Sequence, residues 1–176
     1  MTGGRSGQNG AMANAIKMLQ DDHNSVRMIC RQLPTIQSGA QDEEEKAALQ
    51  LISLLETHTT LEEELVYPVL ADTNSELIKH SEDEHDEAKK ILAELKKMPA
   101  GPEMRDAVSR LQVAVEAHVA EEEETVFPLL TEVLGVSGLE DLGREMMPRQ
   151  QELMQKADET TGAASAGMPK NVYPKL

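Results

Sequence analysis

Apolar residues recur three and four positions apart through most of the chain, the period of helices with one buried face. Ile16, Leu19, Val26, Ile29 and Leu33 set this rhythm over residues 12–32, and Pro34 ends it. A second stretch, residues 42–71, places Ala47, Leu51, Leu54, Leu55, Leu61 and Leu65 on its inner side, with Asp42 and the three glutamates after it complementing the helix N-terminus. Asn74 or Thr73 caps a third helix over 75–98. Ala100-Gly101-Pro102 then turns the chain into a fourth helix over 102–134, closed by Gly135. Ser137-Gly138-Leu139-Glu140 has a capping-box pattern and opens a fifth helix, which Pro148 should kink or split near Met147. Long amphipathic helices joined by short links predict an all-α, up-down-up-down four-helix bundle with an additional, broken C-terminal helix. The expected organisation is a flexible N-terminus (1–11), the bundle (12–134), an accessory helix (135–159) and a flexible tail (160–176), because both ends are small and polar.

The chain repeats itself. ETHTTLEEELVYPVL at 56–70 aligns without a gap on EAHVAEEEETVFPLL at 116–130, placing His58 on His118, Glu62 on Glu122 and Tyr67 on Phe127. DDHNSVRMICRQL at 21–33 aligns on DEHDEAKKILAEL at 83–95, placing His23 on His85. Each half is thus a helical hairpin with one His on its first helix and His-x-x-x-Glu on its second. Two such hairpins pack with pseudo-twofold symmetry, which directs His23, His58, His85 and His118 toward one central layer.

Residues four apart on a helix lie about 40° apart round its axis, so His58 with Glu62, and His118 with Glu122, project from one face. A His and a carboxylate on adjacent turns can hold one ion, and the second carboxylate oxygen can reach another. Four His and two Glu from four helices suit a dinuclear metal site, and imidazole with carboxylate suits iron, manganese or zinc. One such motif arises easily by chance in a Glu-rich helix; two copies, with two further His at matching repeat positions, do not. Glu62–Glu64 and Glu121–Glu124 also lack Lys or Arg four residues away, so metal ions are expected to neutralise the inward members and water the outward ones.

The remaining candidates read as structural. His80 lies about 140° round the helix from His85 and should miss the site. Cys30 reads as a buried thiol. Pro68 and Pro128 should kink the ends of the second and fourth helices, with Tyr67 and Phe127 covering the core there; a hydrogen bond from Tyr67 toward the site is the secondary reading. Leu139, Leu142, Met146, Leu153 and Met154 form a stripe on the fifth helix that covers the bundle or, failing that, docks a protein partner.

Composition narrows the class. Of 176 residues, 17 are Lys or Arg and 32 Asp or Glu, a formal charge of −15 that opposes nucleic-acid and anionic-membrane binding. Aromatics at 2% favour helix over sheet. A single Cys excludes a disulfide framework and fits a reducing compartment. The polar N-terminus lacks a signal-peptide core, and no apolar run is long enough to span a bilayer, so a cytoplasmic location is expected.

The constellation His23, His58-x-x-x-Glu62, His85, His118-x-x-x-Glu122 resembles the hemerythrin-like (HHE cation-binding) family over roughly residues 12–134. The resemblance implies a non-haem di-iron centre, bridged by carboxylates and an oxo or hydroxo group, that binds O2, peroxide or nitric oxide. The marine-invertebrate oxygen carriers of this family have a further His four residues before the equivalent of His85; here that position is Ser81. Their final carboxylate is an Asp five residues after its His; here it is Glu122, four after His118. The chain is therefore similar to the six-ligand bacterial branch, with one ligand fewer on the His85/His118 side, where water, His80 or Glu121 could substitute. A poorer ligand set favours peroxidase-like or NO-converting reactivity over reversible storage; the alternative is a non-enzymatic iron, oxygen or NO sensor. A ferritin-like di-iron oxidase would need two Glu-x-x-His pairs, and only Glu82-x-x-His85 is present.

Overall fold

The computed structural model describes residues 14–161, so the expected flexible segment 1–11 and all but the first two residues of the expected tail lie outside the described residues. Helix α1 spans Ala15–Gln32 and is capped by the Asn14 side chain, which accepts from the Lys17 amide at 3.1 Å. A short 3-10 turn at Leu33–Thr35 ends it. Helix α2 spans Gln41–Leu61 and passes through one π turn, Glu62–Val66, into the short α3, Tyr67–Leu70. Helix α4, Ser75–Leu95, is capped by Asn74, whose side chain accepts from the Leu77 amide. Helix α5, Pro102–Glu121, passes through a second π turn, Glu122–Val126, into α6, Phe127–Thr161. No strand occurs among the described residues, and no helix there is long and apolar enough to cross a membrane.

The helices pack as expected. α1 with α2, and α4 with α5, form the two hairpins; α1 also contacts α5, and α2 contacts α4, closing a four-helix bundle. The apolar faces do not merge into one core. Val26, Cys30, Leu33, Leu51, Leu55, Leu92, Leu95 and Leu111 fill one end. Leu19, Leu61, Val66, Tyr67, Leu70, Val126, Phe127 and Leu130 fill the other. Between them lies a buried polar layer containing all four motif histidines.

Two features differ from expectation. Pro68 and Pro128 do not act as simple kinks: each follows a π turn and stands in the first turn of the helix that resumes, where a missing N–H is tolerated. The last helix is interrupted at Gly135 (φ 61, ψ −178), as expected, but the further kink expected at Pro148 does not occur. Helical backbone continues through Pro148, which is exposed, so the Arg144 carbonyl it leaves unbonded can turn to water. Flanking Leu142, Met146 and Gln150 stay buried and hold the helix onto α1 and α2. Leu139, Leu142 and Met146 join the lower apolar cluster, so the stripe covers the bundle.

Candidate metal centre

The six side chains singled out by the repeat converge. His23, His58, Glu62 and Glu122 bring one donor atom each within 4.8 Å of one another, and so do Glu62, His85, His118 and Glu122. All six are buried, with Glu62 and Glu122 fully so. The two groups share their carboxylates. His23 Nε2 lies 3.1 Å from Glu122 Oε2, His58 Nε2 3.2 Å from Glu62 Oε2, and His85 Nε2 3.4 Å from Glu62 Oε2. His118 Nε2 lies 3.5 Å from Glu122 Oε2. Bonds of about 2.1 Å to one ion set neighbouring donors about 3.0–3.4 Å apart, so these spacings suit shared coordination.

The other face of each ring is occupied by a carboxylate. His23 Nδ1 donates to Glu123 at 3.2 Å, His85 Nδ1 to Glu63 at 2.9 Å and His118 Nδ1 to Glu84 at 2.8 Å. Asp22 Oδ2 stands 3.7 Å from His58 Nδ1 and accepts from the buried Gln150 amide at 3.1 Å. The arrangement obeys the repeat. Asp22 and Glu84 precede the first-helix His and face the second-helix ring of their own hairpin. Glu63 and Glu123 follow the inward Glu and face the first-helix ring of the opposite hairpin. These four carboxylates lie beyond the expected set, although their recurrence at the repeat offsets was a usable signal. Glu63 and Glu64 are not merely solvated: Lys89 pairs with Glu63 at 2.6 Å and Arg149 with Glu64 at 2.7 Å. Arg27 likewise approaches Glu123 at 3.4 Å. The missing basic neighbours come from other helices.

This electrostatic pattern tests whether cations fit. Ionised carboxylates only accept, so the Nδ1 atoms facing them carry the ring protons. In neutral rings, that leaves bare lone pairs on Nε2, and His85 Nε2 and His118 Nε2 stand 3.0 Å apart. Burial holds His118 below its ordinary value, favouring the neutral ring. Within the layer, His23 Nε2, both His58 ring nitrogens, both Glu62 oxygens and Glu122 Oε2 are buried without a hydrogen-bond partner. Burial and the facing Glu122 push the Glu62 carboxyl well above the usual range. Burial would raise Glu122 too, but the nearby His23, His118 and His58 imidazoles hold it below that range. Burial works to lower His58, yet Glu62, Asp22 and Glu122 lift it to about 9. Two buried carboxylates facing each other need a proton or positive charge between them, and cations at the centre would satisfy these oxygens and the Nε2 lone pairs.

Tyr67 is the main correction inside the site. Its Oη lies 3.2 Å from both His85 Nε2 and Glu122 Oε1, so the phenol faces the centre on its His85/His118 side. His80 and Glu121 do not fill that position: they pair with each other at 3.2 Å near the surface. Ser81, buried, turns its hydroxyl back to the Leu77 carbonyl. Cys30 stays in the apolar cluster of Leu33, Leu51 and Leu111, away from the chemistry.

A cleft of about 400 Å³ reaches the centre between α2, α4 and α5. His58, His85 and His118 line its depth, Leu55, Ala88, Ala114 and Val115 its walls, and His80, Asp83, Glu84 and Glu87 its mouth.

Comparison with known proteins agrees with this fold. The chain is 28% identical over 153 residues to a DNA nickase from Nostoc sp., an alignment covering 85% of this chain but only 43% of that protein. A crystal structure of a hemerythrin HHE cation binding domain-containing protein from Mycobacterium kansasii superposes with a TM-score of 0.75 at 26% identity, covering 87% of this chain and 94% of that one. The family model of the hemerythrin HHE cation binding domain matches residues 14–130, which span both hairpins and every donor of the buried layer. With two thirds of its length so matched, this chain belongs to the hemerythrin HHE cation-binding family and carries that family's metal-binding domain.

Proposed function

We propose that this protein holds a non-haem di-iron centre that binds a small oxygen or nitrogen species: O2, peroxide or nitric oxide. The observation that carries this reading is the sharing of Glu62 and Glu122 by two four-donor groups. In this reading His23 and His58 would hold one iron and His85 and His118 the other, with Glu62 and Glu122 shared between them; manganese and zinc are the competing occupants. Such irons, when bound, supply a redox-active Lewis acid.

The chain's own residues prepare the rest. Glu63, Glu84 and Glu123 fix three of the rings by hydrogen bonds to Nδ1 and leave Nε2 for the ion, while Asp22 faces the fourth, His58, at 3.7 Å. Burial, then the charges of Glu62 and Glu122, push the Tyr67 phenol far above its ordinary value, so it stays a neutral donor beside the centre. Apolar layers above and below exclude bulk water. The acidic cleft mouth favours neutral or cationic visitors over anions. This combination supports peroxidase-like or NO-converting turnover.

A sensor function is the second reading, and one contact favours it. Gln150 of α6 holds Asp22 beside His58, so an outer helix is tied to the centre. DNA nicking, named for the Nostoc protein, is not proposed here: a formal charge of −15 and the acidic mouth oppose a phosphodiester backbone.

Metal analysis with optical spectra, recorded before and after peroxide and NO, tests the proposal. One iron per four-donor group is expected, with near-ultraviolet bands that change on exposure. A colourless protein, or a single iron per chain, overturns it. Glu62→Ala or Glu122→Ala should then cost both irons.

A further inference from the structure

We propose that His80, Glu84 and Glu121 bind one divalent first-row cation at the cleft mouth, and that ions destined for the buried centre pass through this site. The binding half stands on its own donor set; the passage half rests on the di-iron reading above.

His80-S-E-D-Glu84 is a third His-x-x-x-Glu motif, on α4, and Glu121 meets it from α5. One donor atom from each residue lies within 4.8 Å of the others. His80 Nε2 stands 3.2 Å from Glu121 Oε2 and 3.6 Å from Glu84 Oε1. Tetrahedral bonds of about 2.1 Å place donors about 3.4 Å apart, midway between these spacings. The buried groups use the same residue types at similar distances, but here His80 is 57% exposed. Three protein donors leave water to complete the shell, and the exposure of His80 lets a bound ion exchange with solvent, as a passage site requires.

Glu84 joins the two places. Its Oε2 accepts from His118 Nδ1 at 2.8 Å, while its Oε1 faces His80. The carboxylate thus orients an inner ring with one oxygen and offers the other to the mouth. His80 lies at the cleft opening, and His118, His85 and His58 lie along the same cleft inward. Asp83 and Glu87 add negative charge at the rim, although Lys79 offsets Asp83 at 3.0 Å. An acidic funnel of this kind raises the local cation concentration.

The test uses the iron-loaded protein titrated with Mn2+, following the free-ion EPR signal. One further Mn2+ per chain is expected, bound at least tenfold more weakly in His80→Ala and in Glu121→Gln, with inner iron unchanged. Glu84 is left intact because it also holds His118. No additional Mn2+, or equal affinity in both variants, overturns the site. Should the protein purify without two irons, the same titration on metal-free protein still decides: wild type must exceed His80→Ala by one ion. Stopped-flow Fe2+ uptake by metal-free protein tests passage. Initial uptake in His80→Ala should fall at least tenfold with the same final content, and an unchanged rate overturns that half.

Discussion

Tyr67 and Phe127 occupy equivalent positions in the two hairpins and stack on opposite imidazoles, Tyr67 on His85 at 5.4 Å and Phe127 on His23 at 5.7 Å. Only Tyr67 carries a hydroxyl, and it reaches His85 Nε2 and Glu122 Oε1. The centre is therefore symmetric in its histidines and asymmetric in its proton supply. Tyr67→Phe should keep the fold, since Phe already serves at the equivalent place. It should cost about 1 kcal/mol in urea unfolding of the metal-free protein. Metal content should remain while the response to peroxide slows; loss of metal would make Tyr67 a ligand instead of a donor.

Glu63 and Glu124 separate orientation from mere charge. Glu63 accepts from His85 Nδ1 and is drawn below its ordinary range first by that bond, against burial, and then by Lys89. Glu124 is exposed. Glu63→Gln should weaken metal binding by about 10–100-fold, while Glu124→Gln should leave it unchanged, as measured by chelator competition. Equal effects would mean that overall charge, not ring orientation, sets affinity.

Gly135 adopts φ 61 and ψ −178, a conformation open to Gly and strained for other residues. A Cβ built there meets nothing within 4 Å, so any penalty comes from the backbone alone. Gly135→Ala should destabilise by about 1–3 kcal/mol, seen as a lower urea midpoint with an unchanged slope.

Cys30 should be inert in the folded protein. Burial, with a smaller contribution from Glu116, pushes its thiol up from 9.0 to about 12. Aromatic disulfide reagents at pH 8 should label the urea-unfolded chain and spare the native one. The neutral thiol also sets a sign for stability: its contribution is complete below pH 9 and is lost as pH climbs toward 12. Rapid native labelling would place Cys30 in a mobile part of the fold.

Much of this architecture was legible because local and global signals agree. Asn74 caps a helix, Gly101 and Gly135 mark breaks, and the doubled hairpin brings its six site side chains into one layer, whereas Asn14, expected inside the first helix, is its cap. Tyr67 was harder to place for a geometric reason. Nine residues after His58, it falls about 180° away on a regular helix. The extra residue of a π turn reduces that angle to about 80°, which brings the ring to the centre. Helical periodicity assumes constant winding, so it cannot show such a turn. The partners of Glu63 and Glu64 were hidden for another reason: Lys89 and Arg149 lie on other helices, outside any i,i+4 window.

The twin π turns also constrain how the chain can change. Removing one residue from Glu62–Val66 or Glu122–Val126 would restore regular winding and rotate everything downstream by about 100°. The links between helices carry no such penalty, and the repeat offsets reflect this. His23 and His85 are separated by two residues more than His58 and His118, while the stretch from each motif His to its aromatic aligns without a gap. Between the two halves the difference in length thus falls in the connections and not at the bulges, where a single surplus residue keeps the phase of each half.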